Sequence, residues 1–376
     1  MNCISKTIIL LPVFVTAILL LSVCALFSGC YTLKQGTIML GYLGRAVPLE
    51  SLLETDSGSE NASTFQQDST TETGKNRLFV ERVQDIRRFA TEELGLKMSK
   101  NYTRYVSIDR DYLAAVVSAS AADSFTRHEW KYPVVGAMPY KGFFNAADAR
   151  KERVKLEKKG LDVWIRGVDA FSTLGWFRDP LYSYMRDYSP YWLADLIIHE
   201  SFHATVFLKG HVQFNEELAE FVGGEGGRLY MESRFGVDSE EYRAMIAGKE
   251  DSRRYVSFIQ ELIAELQTLY RGDADRDEKL KKKEMIIKDF QEQFDAKYEN
   301  LFTSENFRGF STMSPNNAYL ELYRLYYTED NFYADLYEKS GKNLSSFIAA
   351  AKTMPKKGLP GRERLTQALN SDDPLR

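Results

Sequence analysis

The spacing of apolar positions predicts helices over most of the chain and strands in one early region. From Arg77 to Leu94, and again from Leu229 to Tyr270, apolar residues recur every three or four positions, which is typical of amphipathic helices. Between residues 102 and 171 the pattern alternates or forms short apolar runs separated by Gly and Pro, which predicts strands and turns. We therefore expect a predominantly helical α+β fold, with a small β-sheet before a two-helix site and a helical region after it.

The same pattern divides the chain into five segments. Residues 1–29 are dominated by an apolar run, and residues 30–54 have the spacing of a helix that begins the fold close to a membrane. Residues 55–76 are rich in Ser, Thr, Asp and Glu and bury too little apolar surface to order themselves, which predicts a flexible polar insertion. We expect residues 77–354 to form the main domain and residues 355–376 to form a loosely held tail.

The N-terminal segment has the features of a secretion signal that ends at a cysteine. Lys6 precedes an uncharged apolar run from Thr7 to Phe27, and Ser28-Gly29-Cys30 follows directly. Small residues before a cysteine at this place resemble a bacterial lipoprotein cleavage site, which predicts removal of residues 1–29 and lipidation of Cys30. The alternative is an uncleaved signal anchor. Both place the folded part outside the cytoplasm, and the first places it in the bacterial cell envelope, at the outer membrane or the periplasmic face.

Composition narrows the chemistry that the folded part can perform. The chain of 376 residues is 44% hydrophobic and 27% charged, which is ordinary for a folded body, and its net charge of −4 argues against a nucleic-acid partner. All three cysteines lie within the first thirty residues. The remaining body can therefore hold neither a disulfide nor a thiolate metal site, so any metal must be bound by His and carboxylate groups.

The segment HESFH, beginning at His199, carries the strongest chemical signal. On a helix, His199 and His203 lie one turn apart on one face, so both imidazoles can reach one metal ion. Glu200 lies one position round the helix, where it can take a proton from a water rather than bind the metal. This spacing predicts a catalytic site with one Zn²⁺ ion and Glu200 as the general base.

A third ligand is expected from the helix that follows. Asn215-Glu216 opens this second helix, and we predict Glu216 as the ligand, with Glu217 as the weaker alternative. Glu220 lies one turn further on and is predicted to accept the second ring N–H of a ligand histidine. The run Gly223-Gly224-Glu225-Gly226-Gly227 either breaks this helix or lets another backbone approach it closely.

Several stretches together resemble a known family. GAMPYKGFF, STLGWFRDP, HESFH, FNEELAEFVG and the late Asn316-Asn317-Ala318 are similar to those of bacterial lipoproteins described as predicted zinc aminopeptidases, and the resemblance spans most of the chain. It implies zinc, a peptide substrate, the same three ligands and the same base. The Asn-Glu pair is also similar to the third-ligand motif of thermolysin-like enzymes. Where zinc aminopeptidases carry Gly-x-Met-Glu-Asn, this chain has Pro139-Tyr140 after Met138, so the glutamate that holds a free amine is missing.

The donor that stabilises the developing oxyanion is left open by the sequence. Tyr319, Tyr323 and Tyr326 follow Asn316-Asn317 on a predicted helix, and any of them is a candidate. The two asparagines either reach the metal cleft or simply cap this helix.

Three functions remain in consideration. The first is a zinc peptidase, with an aminopeptidase as the leading form. The second is an envelope endopeptidase or maturation protease. The third is a surface-binding lipoprotein whose zinc is only structural.

Overall fold

The computed structural model shows the predominantly helical α+β fold that the sequence predicts. It describes residues 31, 34–56, 71–97, 100–132, 136–168, 179–326 and 331–371. The predicted signal segment 1–29, Cys30 and residues 57–70 of the predicted insertion lie outside the described residues. Within the described part, no helix is long and apolar enough to cross a membrane.

Helices account for most of the described residues. They are α1 (34–45), α2 (Glu72–Glu92), α3 (Ala146–Glu157), α4 (Pro190–Thr205), α5 (Val212–Phe235), α6 (Glu240–Arg271), α7 (Arg276–Leu301), α8 (Asn317–Tyr326), α9 (Phe332–Lys339), α10 (Leu344–Thr353) and α11 (Gly361–Ser371). Short 3-10 turns also form at Leu49–Asp56, Ser183–Asp187 and Arg308–Ser311.

The strands form three small sheets. They are β1 (Val47–Pro48), β2 (Arg104–Val106), β3 (Ala114–Ala121), β4 (Trp130–Tyr132), β5 (Gly136–Met138), β6 (Tyr140–Phe143), β7 (Leu161–Val168) and β8 (Leu181–Tyr182). One sheet has the order β6-β3-β7 and is antiparallel throughout, with Ala115 opposite Phe143 on one side and Gly167 on the other. A second has the order β1-β2-β8, and β4 pairs with β5.

Among the described residues, the chain forms two compact units. Of the described residues, those up to Arg45 and those within Leu113–Val168 and Asn316–Tyr319 belong to the first unit, and those within Ala46–Tyr112, Asp169–Pro315 and Leu320–Arg376 belong to the second. The sequence pattern identifies elements but not which of them pack together. The interleaving of the two units was therefore not predictable from it.

In the first unit, α1 and the asparagine pair both attach to the antiparallel sheet. The Gln35 side chain accepts a hydrogen bond from the Phe144 backbone N–H at 2.8 Å. Asn316 donates to the Val163 carbonyl at 3.1 Å, and its side chain also accepts the Tyr319 N–H at 3.2 Å. The capping interpretation of Asn316 therefore holds.

Asn317 is fully buried in the same unit. Its amide donates to the backbone carbonyls of Ala121 and Ser124 at 2.9 and 3.2 Å. Its own backbone N–H donates to the Asp162 carboxylate at 2.8 Å. Asn317 therefore ties the start of α8 to the sheet.

The second unit contains two long helical hairpins. α4 and α5 form one, and α6 and α7 form the other around a cluster of aromatic side chains that includes Phe258 and Phe294. The helical pattern from Leu229 to Tyr270 is not one helix, because Gly236 ends α5 with a φ of +83°, a conformation that favours glycine. A new helix then starts behind the Ser239 cap.

Two segment boundaries differ from the sequence-based expectation. α2 begins at Glu72, inside the predicted insertion, because the Thr71 hydroxyl accepts the Gly74 N–H at 3.1 Å and caps the helix. Within the segment 355–376, which is expected to be a loose tail, residues Gly361–Ser371 form α11. In this helix Arg364 and Leu365 are buried.

Candidate metal centre

Local sequence accounts for α4, the helix that carries HESFH. The Ser189 hydroxyl accepts the Trp192 N–H at 3.3 Å, and Pro190 occupies the first turn, where its missing N–H is not needed. Apolar side chains bury most of the helix: Leu193, Ala194, Ile197, Ile198 and Phe202. His199 and His203 share one of its faces, as their spacing predicts.

Asn215 fixes the turn that brings α5 back against α4. Its side-chain oxygen accepts the Leu208 N–H at 2.9 Å, and its amide donates to the Leu208 carbonyl, also at 2.9 Å. Asn215 is buried, so these bonds are shielded from water. Gly210 lies inside the turn with a φ of +84°, which a residue with a Cβ rarely adopts. The next residue after Asn215 is Glu216, which therefore faces back towards α4.

The three predicted ligands converge. The two Nε2 atoms of His199 and His203 lie 3.1 Å apart, and Glu216 Oε2 lies 3.7 Å from the first and 3.5 Å from the second. Among the described residues, this is the group of His and carboxylate side chains that could hold a metal ion. We call these three atoms the ligand triangle.

The dimensions of the ligand triangle fit zinc. With Zn–N and Zn–O bonds near 2.0–2.2 Å and tetrahedral geometry, ligand atoms stand about 3.3 Å apart. The three observed separations, 3.1, 3.5 and 3.7 Å, bracket that value. Two ring nitrogens and one carboxylate oxygen also leave a fourth position for a water or a substrate, as catalytic zinc sites require.

Electrostatics favour a cation at the ligand triangle. The close approach of the two imidazoles lowers the pKa of Glu216 to about 2, so this carboxylate stays ionised. Burial opposes protonation of His199, but Glu216 and other nearby carboxylates outweigh that effect and raise the pKa of His199. The site therefore attracts positive charge, which a proton supplies in the absence of a metal ion.

Glu200 lies beside the ligand triangle, and one of its carboxylate oxygens accepts no hydrogen bond from the described residues. The residue is half-buried, and its Oε2 is buried without a hydrogen-bond partner among the described residues. Tyr102 is buried, and burial raises the pKa of its phenol. The negative charge of Glu200 raises the pKa of Tyr102 further. Tyr102 also has an unusual φ of +60°, and sequence reasoning gave no indication of its place here. An unpaired carboxylate oxygen is suited to accept a proton.

Glu217 is not part of the ligand triangle. Its Oε2 accepts hydrogen bonds from the Tyr333 hydroxyl at 2.9 Å and from Arg362 Nη2 at 2.7 Å. Its Oε1 accepts the Gln213 amide at 2.9 Å. The weaker alternative for the third ligand is therefore engaged elsewhere, which leaves Glu216.

Glu220 is exposed one turn beyond Glu216. Desolvation of its carboxylate by the surrounding protein raises the pKa of Glu220, and the charge of His199 opposes this effect. No hydrogen bond joins it to either ligand histidine among the described residues, and His203 Nδ1 is buried without a partner there. That Glu220 accepts a hydrogen bond from a ligand histidine stays a prediction.

The glycine run does not interrupt α5 but allows close packing on α4. A Cβ added to Gly223 would lie 2.5 Å from Asp195 Oδ1, 2.9 Å from His199 Cβ and 3.0 Å from the Asp195 carbonyl oxygen. A Cβ at Gly226 would lie 2.9 Å from the Ile198 side chain. The second of the two sequence interpretations is therefore correct. Asp195, whose pKa burial raises to about 6, is a further residue beside His199 that the motif did not reveal.

The three candidate oxyanion donors occupy different surroundings. Tyr319 is buried in the first unit, where its ring packs edge-on against Trp164 at 4.8 Å between centroids. Tyr323 packs edge-on against Tyr255 at 5.7 Å in the second unit. The side chain of Tyr326 lies outside the described residues. The assignment of the donor stays open.

Comparison with known proteins gives one positive result. The model of a family described as "Putative aminopeptidase" matches residues 30–367. Comparisons with curated proteins and with solved structures gave no significant match. The matched range covers most of the chain and includes HESFH and Asn215-Glu216. By this match the chain belongs to the putative aminopeptidase family, which implies a peptidase role and a peptide substrate.

Proposed function

We propose that this chain is a zinc-dependent peptidase of the aminopeptidase type. One Zn²⁺ ion would be held by His199, His203 and Glu216. The observation that carries the proposal is the ligand triangle, whose three edges match a tetrahedral zinc site. Membership of the aminopeptidase family supports the peptidase half of the proposal independently.

The chemistry of each side chain indicates its role in the proposed reaction. Zinc in such a site supplies a Lewis acid that activates water and polarises the scissile carbonyl. Glu200 accepts the proton of the attacking water through its unpaired Oε2 and delivers it to the leaving amine. Glu216 stays ionised and supplies the negative charge of the ligand set, because its pKa is about 2. Tyr319, Tyr323 and Tyr326 remain the candidates for the oxyanion donor.

The aminopeptidase form is favoured by the family and weakened by one feature of the chain. Met138 is followed by Pro139-Tyr140, where zinc aminopeptidases of known type carry the glutamate that binds the free amine. The second candidate function is therefore an envelope endopeptidase or maturation protease, which needs no such group. The third candidate function is a surface-binding lipoprotein in which the same site binds zinc but does not catalyse a reaction.

One experiment separates these functions. The zinc content of wild type and Glu200→Gln is measured, and both are incubated with a peptide library in free and N-terminally blocked form. We expect one zinc per chain in both proteins and a loss of hydrolysis of about 10²-fold or more in Glu200→Gln. Cleavage only of free N-termini identifies an aminopeptidase, and cleavage of blocked peptides identifies an endopeptidase. Hydrolysis that survives complete zinc removal would overturn the proposal, and zinc binding without any hydrolysis would favour a structural site.

We also propose that the enzyme is tethered to the bacterial cell envelope through a lipid on Cys30. The proposal is supported by the apolar run that ends in Ser28-Gly29-Cys30. Cys30→Ser should move the protein from the membrane fraction to the soluble fraction and remove labelling by a palmitate analogue. Unchanged fractionation and labelling would exclude the anchor.

A further inference from the structure

The first turn of α5, which directly precedes Glu216, has no side-chain cap. Its N-cap residue is His211, whose side chain makes no capping hydrogen bond. The first turn of any helix has N–H groups without internal partners, so an uncapped end tends to fray. Fraying at this end would displace Glu216 from the ligand triangle. Beyond the two Asn215 bonds to Leu208, contacts from other elements can hold this end of the helix.

Those contacts come from the end of the chain. Gly361, the first residue of α11, lies so close to the Phe214 ring that an added Cβ would overlap it. The buried Arg364 places Nη2 3.4 Å from His211 Nε2 and donates to the Pro355 carbonyl at 3.3 Å. The helix α11 is therefore packed against the first turn of α5, directly before the predicted ligand Glu216.

The strongest of these contacts is made to Glu217, the neighbour of Glu216. Arg362 Nη2 donates to Glu217 Oε2 at 2.7 Å, and the Tyr333 hydroxyl donates to the same oxygen at 2.9 Å. The guanidinium also lies over the rings of Phe332 and Tyr333, at 5.0 and 5.4 Å from their centroids. Charge-assisted bonds of this kind are stronger and more directional than neutral ones.

We propose that Arg362 is a positioning residue for the metal centre, which acts by holding Glu217 and with it the turn that presents Glu216. The inference rests on the proposed zinc site. It makes the C-terminal helix part of the functional centre rather than an appendage. Preorganised ligands bind a metal more tightly because the protein does not have to order them on binding.

The chain offers a matched control at the other end of the same helix. Arg234 lies in the last turn of α5, with Nε 2.9 Å from Asp85 and Nη2 2.8 Å from Glu93. Its guanidinium also lies over two rings, those of Phe89 and Tyr230, at 5.4 and 5.7 Å. Arg234→Ala therefore removes the same kind of contact from α5 but far along the helix from Glu216.

The test compares zinc affinity and stability in the full-length chain. The zinc dissociation constant is measured by competition with a chromophoric chelator, and the unfolding of the zinc-free protein is measured in denaturant. We expect Arg362→Ala to weaken zinc binding about tenfold, the lower end of the effect of removing supports of metal ligands. Arg234→Ala should change it by less than about twofold. Arg362→Lys, which keeps a cation over the rings, should recover part of the affinity.

Two further results decide the inference. Tyr333→Phe removes only the hydroxyl that reaches Glu217, so it should weaken zinc binding by a smaller factor even if Arg362→Ala does not fold. Equal zinc affinity of Arg362→Ala, Tyr333→Phe and wild type would overturn the inference while leaving the zinc peptidase intact. A wild type that binds no zinc would instead overturn the proposed function, and the inference with it.

Discussion

The packing at Gly223 predicts that one of two neighbouring glycines is essential and the other is not. Gly223 and Gly224 both lie in the middle of α5, so changing either to Ala brings the same gain in helix propensity, about 1 kcal/mol. Their surroundings differ. The nearest atom to a Cβ at Gly224 is the Tyr191 hydroxyl, at 3.6 Å, which is an ordinary contact. At Gly223 the added carbon meets α4 itself.

The size of the effect follows from these separations. A Cβ at Gly223 would lie 3.0 Å from the Asp195 carbonyl oxygen and 2.9 Å from His199 Cβ, against an optimum of about 3.5–4.0 Å between carbon atoms. Backbone atoms cannot rotate away, so α4 and α5 must separate. Overpacking of this kind costs about 1–3 kcal/mol. Because the propensity gain cancels between the two variants, Gly223→Ala should be less stable than Gly224→Ala by that amount.

The same displacement should reach the ligand triangle. His199 lies on the contacted face of α4, so moving it away from Glu216 lengthens an edge that is already 3.7 Å. We expect Gly223→Ala to weaken zinc binding by about tenfold or more, while Gly224→Ala leaves it unchanged. The assays are denaturant unfolding of the zinc-free proteins and chelator competition for zinc. Equal stability and equal zinc affinity of the two variants would refute the packing argument.

Three further predictions concern other parts of the second unit. Asn215→Ala removes both hydrogen bonds to Leu208 and should weaken zinc binding about tenfold. Asn215→Asp keeps the acceptor oxygen and should weaken zinc binding less. Competition with the same chelator measures the zinc affinity of both variants. Zinc affinity should fall as the pH is lowered, because protons compete with zinc for His199. The raised pKa of His199 makes that competition begin at a higher pH than for an ordinary histidine, while Glu216 stays ionised down to about pH 2. A zinc affinity that is flat from pH 8 to pH 5 would contradict this prediction. Asp251 is fully buried and accepts backbone N–H bonds at the end of α7, so Asp251→Ala should destabilise the protein by about 2–4 kcal/mol in denaturant unfolding while zinc affinity stays the same.

The residues of the candidate metal centre follow local rules and are therefore largely predictable from the sequence. The positions of His199 and His203 follow from the helical repeat, and a carboxylate at the start of the next helix was the natural third ligand. The difference between Glu216 and Glu217 is not encoded locally. It depends on Arg362 and Tyr333, which lie more than a hundred residues away in the chain and occupy one of the two carboxylates.

Composition alone does not predict the helical residues of two polar segments, at the start of α2 and in α11. The polar segment 355–376 has few apolar residues, yet α11 forms because Leu365 is buried and Arg364 finds partners on another element. The helix α2 begins at Glu72, before the apolar pattern starts, because Thr71 caps it within a polar segment. Such contacts leave little trace in the periodicity of one segment, since half of each contact is encoded elsewhere.

The sequence by itself determined the fold class, the elements that form it and the residues able to bind a metal, because helical period, capping residues and ligand spacing are properties of neighbouring positions. Only the tertiary structure decided how these elements combine. It showed that the glycine run lets α5 approach α4, that Asn215 closes the turn between them, and that α11 packs against the start of α5. Close approach and long-range hydrogen bonds depend on three-dimensional neighbours, which a linear pattern does not specify.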